Sequence, residues 1–164
     1  MNREQVGAYQ GSIIDLHAHT TLRSLDSGLA PEALVRRCKE LGLSAVCVTE
    51  HNAMWPAAEA RRLSERFEIP ILRGMEISTD AGHVLVFGVE DYRPEMFRVD
   101  LLRAITEAEG GAMVLAHPMR GQGFRRSWEE AKDLFEALEC LNGDDSNHYG
   151  QQIRTLADML GLAV

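Results

Sequence analysis

The feature that most constrains the fold is an alternation of short apolar runs with stretches of helical periodicity. Six runs rich in apolar and β-branched residues have the length of strands: SIIDLH (12–17), SAVCVT (44–49), PILRGME (70–76), HVLVFGV (83–89), AMVLAH (112–117) and ALECLN (137–142). Helical stripes separate most of these runs, and this alternation predicts a mainly parallel sheet with helices outside it. The sequence therefore favours an α/β fold.

The helical stretches carry start and stop residues. Pro31 suits a first helical turn, Gly42 and Gly161 suit helix ends, and SWEE (127–130) forms a capping box. HVLVFGV follows PILRGMEIS after only a few polar residues, which predicts a tight return between these two strands. The last residues, LGLAV, are typical of a helix end that leads into a further strand.

Composition excludes several classes of protein. The chain has 164 residues, enough for one domain with its own core, and no apolar run approaches the roughly 18 residues of a membrane helix. The N-terminal segment lacks the apolar core of a signal peptide, so we expect a cytoplasmic protein. A net charge of −8 disfavours general nucleic-acid binding unless bound divalent metals supply local positive charge. Cys38 lies on a helical apolar stripe and Cys47 in an apolar strand-like run, and both are expected to be buried thiols.

Side chains that bind metals follow the apolar runs. The carboxyl ends of parallel strands meet at one edge of a sheet, where catalytic groups gather. The polar residues at these strand edges are His17, His19, Glu50, His51, Glu76, His83, His117, Asn142, Asp144 and Asp145. His17 and His19 are two residues apart, so on a strand both point to one side and can bind one ion. Nitrogen and oxygen ligands without thiolate suit zinc, manganese or iron, whereas His148 in a polar loop is expected to be an ordinary surface residue.

Four motifs resemble the PHP family, named for polymerase and histidinol phosphatase. DLHAHT resembles its first motif, TEHN its second, GMEIS its third and AHP its fourth, in the same order along residues 13–164. The resemblance implies a distorted seven-stranded (β/α) barrel with up to three divalent metal ions at its C-terminal face. It also implies that residues 1–12 form an N-terminal tail and that residues 13–164 form the PHP domain.

The resemblance also assigns metal ligands, position by position. The implied ligands are His17, His19 and Glu76 for a first ion, Glu76, His83 and His117 for a second, and Asp26 and His51 for a third. Glu76 would bridge the first two ions. Glu50 stands where the family more often has Asp, and we expect it to orient a neighbouring histidine rather than to bind metal.

The chain departs from the family pattern after its last helical stripe. Family members complete the site with an Asp-x-His motif, usually GSDAH, after a strand similar to the one that begins at LAV (162–164), and this sequence contains no such motif. The barrel would then lack its final strand and helix. Three explanations are open: a fragment of a longer protein, which we favour, a missing part supplied by another chain, or a degenerate domain.

The expected chemistry is metal-assisted hydrolysis, because the sequence contains neither a GxSxG nor a cysteine–histidine signature for covalent catalysis. In the reaction that the resemblance implies, a metal-bound hydroxide attacks a phosphomonoester or the phosphodiester at an oligonucleotide end. The residues expected to carry it are His17, His19, Glu76 and His117, with Arg120.

Arg120 is the candidate phosphate contact, because it lies in the glycine-rich segment AHPMRGQG close after His117. Arg125 and Arg126 follow and could extend a basic patch toward a nucleotide chain. The expected partner is therefore a small phosphorylated substrate or a short oligonucleotide, and not a membrane.

Two other functions stay open. An incomplete ligand set would suit a metal-binding structural or interaction module without activity. The resemblance of the barrel and its ligands to amidohydrolases would suit hydrolysis of a carbon–nitrogen bond. A lysine on a barrel strand would favour that kinship, but Lys39 and Lys132 both lie in helical stretches.

Overall fold

A computed structural model of the chain describes residues 11–121, 123–143 and 149–164, which form a mixed α/β fold. The chain divides between Gly74 and Met75 into two compact units. Strand β3 (Ile71–Thr79) crosses this boundary, so its first residues belong to the first unit and its last residues to the second.

The first unit contains two further strands and two helices among its described residues. Their bounds are β1 Ile14–Ala18, α1 Pro31–Leu41, β2 Ala45–His51 and α2 Ala57–Phe67. Strands β1 and β2 are parallel, with Ile14 beside Ala45. Strand β2 also neighbours the start of β3, where the Val46 N–H donates to the Pro70 carbonyl. The parallel pairing brings the residues that follow β1 close to those that follow β2.

The core of the first unit joins its strands to both helices. The buried cluster consists of Ala18, Leu34, Val35, Cys38, Val46, Val48, Trp55, Ala60, Leu63 and Ile69. Full burial of a side chain such as Leu63 stabilises the fold by about 1.5–3 kcal/mol. Cys47 of β2 is also fully buried, so both cysteines of this unit are interior thiols, as predicted.

Helix α1 confirms the predicted start and stop residues. Pro31 occupies its first turn, where a missing N–H costs no hydrogen bond. Gly42 ends the helix with a φ of 78°, and its N–H donates to the Lys39 carbonyl. A residue with a Cβ would be strained in this conformation, which is why the helix ends at glycine.

The second unit contains the rest of β3, three further strands and three α-helices among its described residues. Their bounds are β4 Gly82–Phe87, α3 Val99–Ala108, β5 Ala112–Leu115, α4 Trp128–Leu134, β6 Ala137–Leu138 and α5 Gly150–Leu160. The strand order is β3-β4-β5-β6, with β4 antiparallel to β5 and β5 parallel to β6. The predicted tight return is the turn from β3 to β4, where the Thr79 hydroxyl donates to the Gly82 carbonyl at 2.6 Å.

Two predictions for the second unit hold, and strand β6 is shorter than its apolar run. The capping box is present: Ser127 Oγ accepts from the Glu130 N–H and the Glu130 carboxylate accepts from the Ser127 N–H. Strand β6 ends at Leu138 because its parallel partner β5 ends at Leu115. The strand predicted after Gly161 is limited, in the residues described, to one parallel bridge between Ala163 and Ala137. A seven-stranded barrel therefore stays an expectation from the family resemblance.

Every helix in the described part of the chain is too short or too polar to cross a lipid bilayer.

Candidate functional site

Three histidines of the first unit lie together at the carboxyl ends of β1 and β2. His17 and His19 bring their Nε2 atoms to 3.0 Å from each other. The rings of His19 and His51 stack with centroids 4.3 Å apart and an interplanar angle of 15°. We call His17, His19, His51 and the neighbouring Asp26 the histidine cluster. The two-residue spacing in DLHAHT and the parallel pairing of β1 with β2 together produce it.

Asp26 enters the histidine cluster through His51, whose Nε2 lies 2.9 Å from Asp26 Oδ2. Burial alone would raise the pKa of the Asp26 carboxyl, but its hydrogen bond and charge interaction with His51 outweigh that effect and hold this pKa below its ordinary value. The carboxylate is therefore ionised at neutral pH and lies beside an imidazole, in a position suited to binding a cation.

Glu50 supports the histidine cluster from beneath. Its side chain is fully buried, and it accepts hydrogen bonds from the Thr20 N–H, the Thr20 hydroxyl and the Ser24 hydroxyl. A buried carboxylate needs such donors to offset its lost hydration. The Ser24 Oγ also lies 3.3 Å from His19 Nδ1.

This geometry sets the proton position on His19. The single hydroxyl proton of Ser24 is donated to Glu50 at 2.5 Å, so Ser24 Oγ can only accept from the imidazole. His19 then carries its proton on Nδ1 and presents the lone pair of Nε2. Nε2 is the atom that faces His17, so the buried carboxylate orients a predicted metal ligand through one serine.

We expect Ser24→Ala to weaken metal binding by the chain about tenfold, because the partner that holds the Nδ1 proton of His19 is removed. Titration of the metal-free variant with Mn²⁺ checks the affinity, and nitrogen chemical shifts of His19 check the tautomer. Ser12→Ala, at an exposed serine, is the matched control and should leave both unchanged. Unchanged affinity and unchanged shifts in Ser24→Ala would show that the relay through serine has no effect on His19.

A second group, the glutamate cluster, lies in the second unit and consists of Glu76, His83 and His117. The Glu76 side chain is 1% exposed, and its Oε1 lies 2.9 Å from both His83 Nδ1 and His117 Nε2. Because β4 runs antiparallel to β5, its first residues, with His83, lie at the same edge as the residues that follow β5. The cluster is produced by this reversal, in agreement with the tight return predicted between β3 and β4.

The backbone at His117 is held in an uncommon conformation. Its φ is 29°, in the region where non-glycine residues are strained. The Glu139 carboxylate accepts the His117 N–H at 2.7 Å, and the His117 carbonyl accepts the Arg120 N–H at 3.0 Å. These two bonds fix the direction in which the His117 ring leaves the chain.

Arg120 is connected to the same carboxylate through Asn142. Arg120 donates to Asn142 Oδ1 at 3.4 Å, and Asn142 Nδ2 donates to Glu139 at 3.0 Å. Glu139, like Thr20 and Ser24 beside the histidine cluster, is a site-associated residue that the sequence reasoning missed. The available signal was a carboxylate inside an otherwise apolar strand run, ALECLN.

Arg126 does not extend a basic patch. It makes a two-pronged contact with Asp100, 3.0 Å at each nitrogen, and lies 3.6 Å from Asp80 and 3.4 Å from Glu130. Its hydrogen bond to Asp100 is the largest influence raising the pKa of Arg126. Three carboxylates neutralise this guanidinium locally. Its ion pairs with Asp100 and Glu130 connect α3 to α4.

Each predicted metal ligand falls in one of the two clusters. His17, His19, Asp26 and His51 belong to the histidine cluster, and Glu76, His83 and His117 to the glutamate cluster. Asp144, Asp145 and His148 lie outside the described residues. Lys39 and Lys132 lie in α1 and α4, as predicted.

The donor set fits a divalent metal. The two nitrogens of His17 and His19 are 3.0 Å apart, and two imidazole nitrogens bound to one ion at the usual bond lengths are about 3.0–3.4 Å apart. The clusters offer imidazole and carboxylate, while Cys38 and Cys47 are buried in the hydrophobic interior. Nitrogen and oxygen donors of this kind suit zinc, manganese and iron alike.

Comparison with known proteins places the chain in a family. Residues 15–159 match the model of the PHP domain, and the chain belongs to the PHP domain family. It is 39% identical to the 5'-3' exoribonuclease Rnm of Escherichia coli over 41% of this chain, and 30% identical to a 3',5'-nucleoside bisphosphate phosphatase of Chromobacterium violaceum over 51%.

The solved structures agree with this family fold. A protein from Bifidobacterium adolescentis, whose proposed activity is that of a metal-dependent phosphoesterase, matches with a TM-score of 0.73 and 16% identity. The match covers 93% of this chain and 85% of that one.

The matches cover only part of the length of the curated relatives. It spans 66% of an uncharacterized protein of Methanocaldococcus jannaschii, to which it is 28% identical over 63% of its own length. It spans 23% of the Escherichia coli exoribonuclease and 30% of the Chromobacterium violaceum phosphatase.

Proposed function

We propose that this chain is a metal-dependent phosphoesterase domain that hydrolyses a phosphomonoester or the phosphodiester at an oligonucleotide end. The observation that carries the proposal is the buried carboxylate of Glu76, one oxygen of which lies 2.9 Å from imidazoles on β4 and after β5. A purely structural core rarely buries a carboxylate among titratable rings, because the desolvation cost is high. Membership of the PHP family supports a hydrolytic role for such a cluster.

The metal ligands of this proposal follow the family pattern. The proposed sets are His17, His19 and Glu76 for one ion, Glu76, His83 and His117 for a second, and Asp26 and His51 for a third. The joining of Glu76 to the histidine cluster rests on that pattern. The short contacts support the grouping of those ligands that lie in the same cluster.

Divalent ions bound by these residues would lower the pKa of a water molecule and offset the charge that develops on the phosphoryl oxygens. The chain's own side chains have supporting roles. Glu50, through Ser24, keeps the Nε2 lone pair of His19 available. The Arg120 guanidinium, which donates to Asn142, would bind the phosphoryl oxygens and orient the substrate.

The charges favour a small substrate or a short oligonucleotide. The chain carries a net charge of −8, and Arg126 is neutralised by its three carboxylate neighbours. A long nucleic acid requires many cationic contacts along its backbone. The names of the two enzyme relatives, an exoribonuclease and a nucleoside bisphosphate phosphatase, support a phosphate group at the end of a nucleotide as the target.

The test combines metal content with turnover. We expect the purified chain to bind at least about two metal ions, as two-metal phosphatases do, and to hydrolyse p-nitrophenyl phosphate in the presence of Mn²⁺. The double variant His17→Ala/His19→Ala should lose metal and activity together while keeping its circular dichroism spectrum. A 5'-phosphorylated dinucleotide and bis(p-nitrophenyl) phosphate, assayed in parallel, separate monoester from diester hydrolysis.

Two results would contradict the proposal. Metal that is bound, and lost in the double variant, without turnover of any ester would identify a non-catalytic metal-binding module. A chain that binds no metal in the folded state would exclude a metal-dependent reaction for these residues.

A further inference from the structure

We propose that Glu139 and Asn142 are a positioning pair that sets the direction of Arg120 relative to His117. This inference rests on the proposed function, because it concerns how the same site would hold a phosphate group. It assigns a role to two polar residues of the last predicted strand run, ALECLN, whose hydrogen bonds reach the backbone N–H of His117 and the guanidinium of Arg120.

The pair connects two neighbouring parts of the loop after β5. One oxygen of the Glu139 carboxylate accepts the His117 N–H at 2.7 Å, and the other accepts Asn142 Nδ2–H at 3.0 Å. The Asn142 Oδ1 then accepts from Arg120. The chain from His117 to Arg120 is closed into a ring by these side chains, because the Arg120 N–H also donates to the His117 carbonyl.

The chemistry of the neighbours determines the orientation of the Asn142 amide. A carboxylate only accepts, so Glu139 requires the NH₂ end of the amide, and a guanidinium only donates, so Arg120 requires the oxygen end. The carboxylate of Glu139 therefore fixes which end of the Asn142 amide faces Arg120. A change of polarity at Glu139 would reverse the amide and present its NH₂ group to the guanidinium, which has no acceptor.

The strained backbone at His117 is a reason for the hydrogen bonds of Glu139 and Asn142. With a φ of 29°, this residue needs external bonds to hold its conformation, and the Glu139 carboxylate, directly after β6, supplies one. The same carboxylate thus stabilises the backbone of a predicted ligand and, through Asn142, the direction of the candidate phosphate contact. Because one carboxylate holds both, the His117 backbone and the Arg120 side chain keep a fixed position relative to each other.

The test exploits the polarity of the pair. Glu139→Gln should reverse or release the Asn142 amide, and Asn142→Asp should place two carboxylates against each other. We expect either change to raise the KM for p-nitrophenyl phosphate, and the Kd for inorganic phosphate measured by calorimetry on the Mn²⁺-loaded chain, about tenfold. The metal content should be unchanged, and kcat should fall far less than KM rises.

The double variant Glu139→Gln/Asn142→Asp is the decisive experiment. Here the glutamine NH₂ can donate to one aspartate oxygen while the other oxygen accepts from Arg120, so the direction of the hydrogen bonds toward Arg120 is restored with the same total charge. We expect phosphate affinity to recover to within about threefold of the original chain. Glu129→Gln, an exposed glutamate on α4, is the matched control and should change nothing.

Readouts in the metal-free chain separate this inference from the proposed function. The His117 amide proton, bonded to a carboxylate, should resonate far downfield and should move upfield in Glu139→Gln. If no ester is hydrolysed, the proposed function fails. The Kd for phosphate and the chemical shift of the His117 amide proton still test the role of Glu139 and Asn142. Equal losses of kcat, metal and thermal stability in both single variants, or a double variant no better than the worse single one, would overturn the inference.

Discussion

If the proposed function holds, Glu76→Gln is expected to lower phosphoesterase activity at least about 100-fold and to reduce bound metal per chain, because the substitution changes a proposed metal ligand. The substitution keeps the shape of the side chain but removes its negative charge. Glu76 is 1% exposed and its Oε1 contacts both His83 and His117, so the lost charge acts directly on both imidazoles. Elemental analysis and steady-state assays with Mn²⁺ measure the two effects.

The matched control for this prediction is Glu40→Gln on helix α1. Glu40 is an exposed carboxylate that pairs with Arg37 at 3.4 Å, and such surface pairs contribute little to stability. The control should keep both metal and activity. Full activity in Glu76→Gln, or an equal loss in both variants, would remove the carboxylate from the proposed chemistry.

Gly111→Ala is expected to lower the free energy of unfolding by about 3 kcal/mol, because it overpacks a rigid contact. A Cβ at this position would lie 2.3 Å from the Phe87 carbonyl oxygen and 2.9 Å from Thr106 Cγ2. The Phe87 backbone cannot withdraw freely, since Phe87 pairs with Ala112 in the antiparallel ladder between β4 and β5. Urea denaturation followed by circular dichroism measures the change.

Gly143→Ala provides the comparison within the same unit. A Cβ there would meet no atom within 4 Å, and the backbone conformation does not require glycine. Its stability should stay within about 0.5 kcal/mol of the original chain. Similar destabilisation at both positions would mean that the contact with Phe87 does not determine the cost.

The sequence predicted the elements of the fold well and their lengths less well. The apolar runs located all six strands of the described residues because each run is bounded by helix stops or polar turns. Strand β6 has two residues where the run ALECLN has six, because strand pairing depends on where the neighbour ends. That neighbour, β5, ends before the positive φ of His117, which no local propensity of histidine indicates.

The candidate site divides in the same way. The two-residue spacing of His17 and His19 is enough to predict that they share one side of a strand, and their Nε2 atoms do meet. The contact between Ser24 and Glu50 joins residues 26 positions apart through an irregular loop, so no periodicity reveals it. The carboxylate of Glu139 stands out in the apolar run ALECLN, but its partner, the backbone N–H of His117, is not indicated by any residue type in the sequence.

The burial of two cysteines in the first unit has a chemical consequence. The thiolate, and not the thiol, reacts with oxidants and alkylating agents. Burial, with a smaller effect of the Asp15 carboxylate, raises the pKa of the Cys38 thiol to about 11 and that of Cys47 to about 12. Both thiols are therefore protected twice, by protonation and by exclusion of the reagent. The rate at which Cys38 and Cys47 are modified would therefore report how often this unit unfolds locally. Cys140 is only half-buried, so a thiol reagent should modify it first.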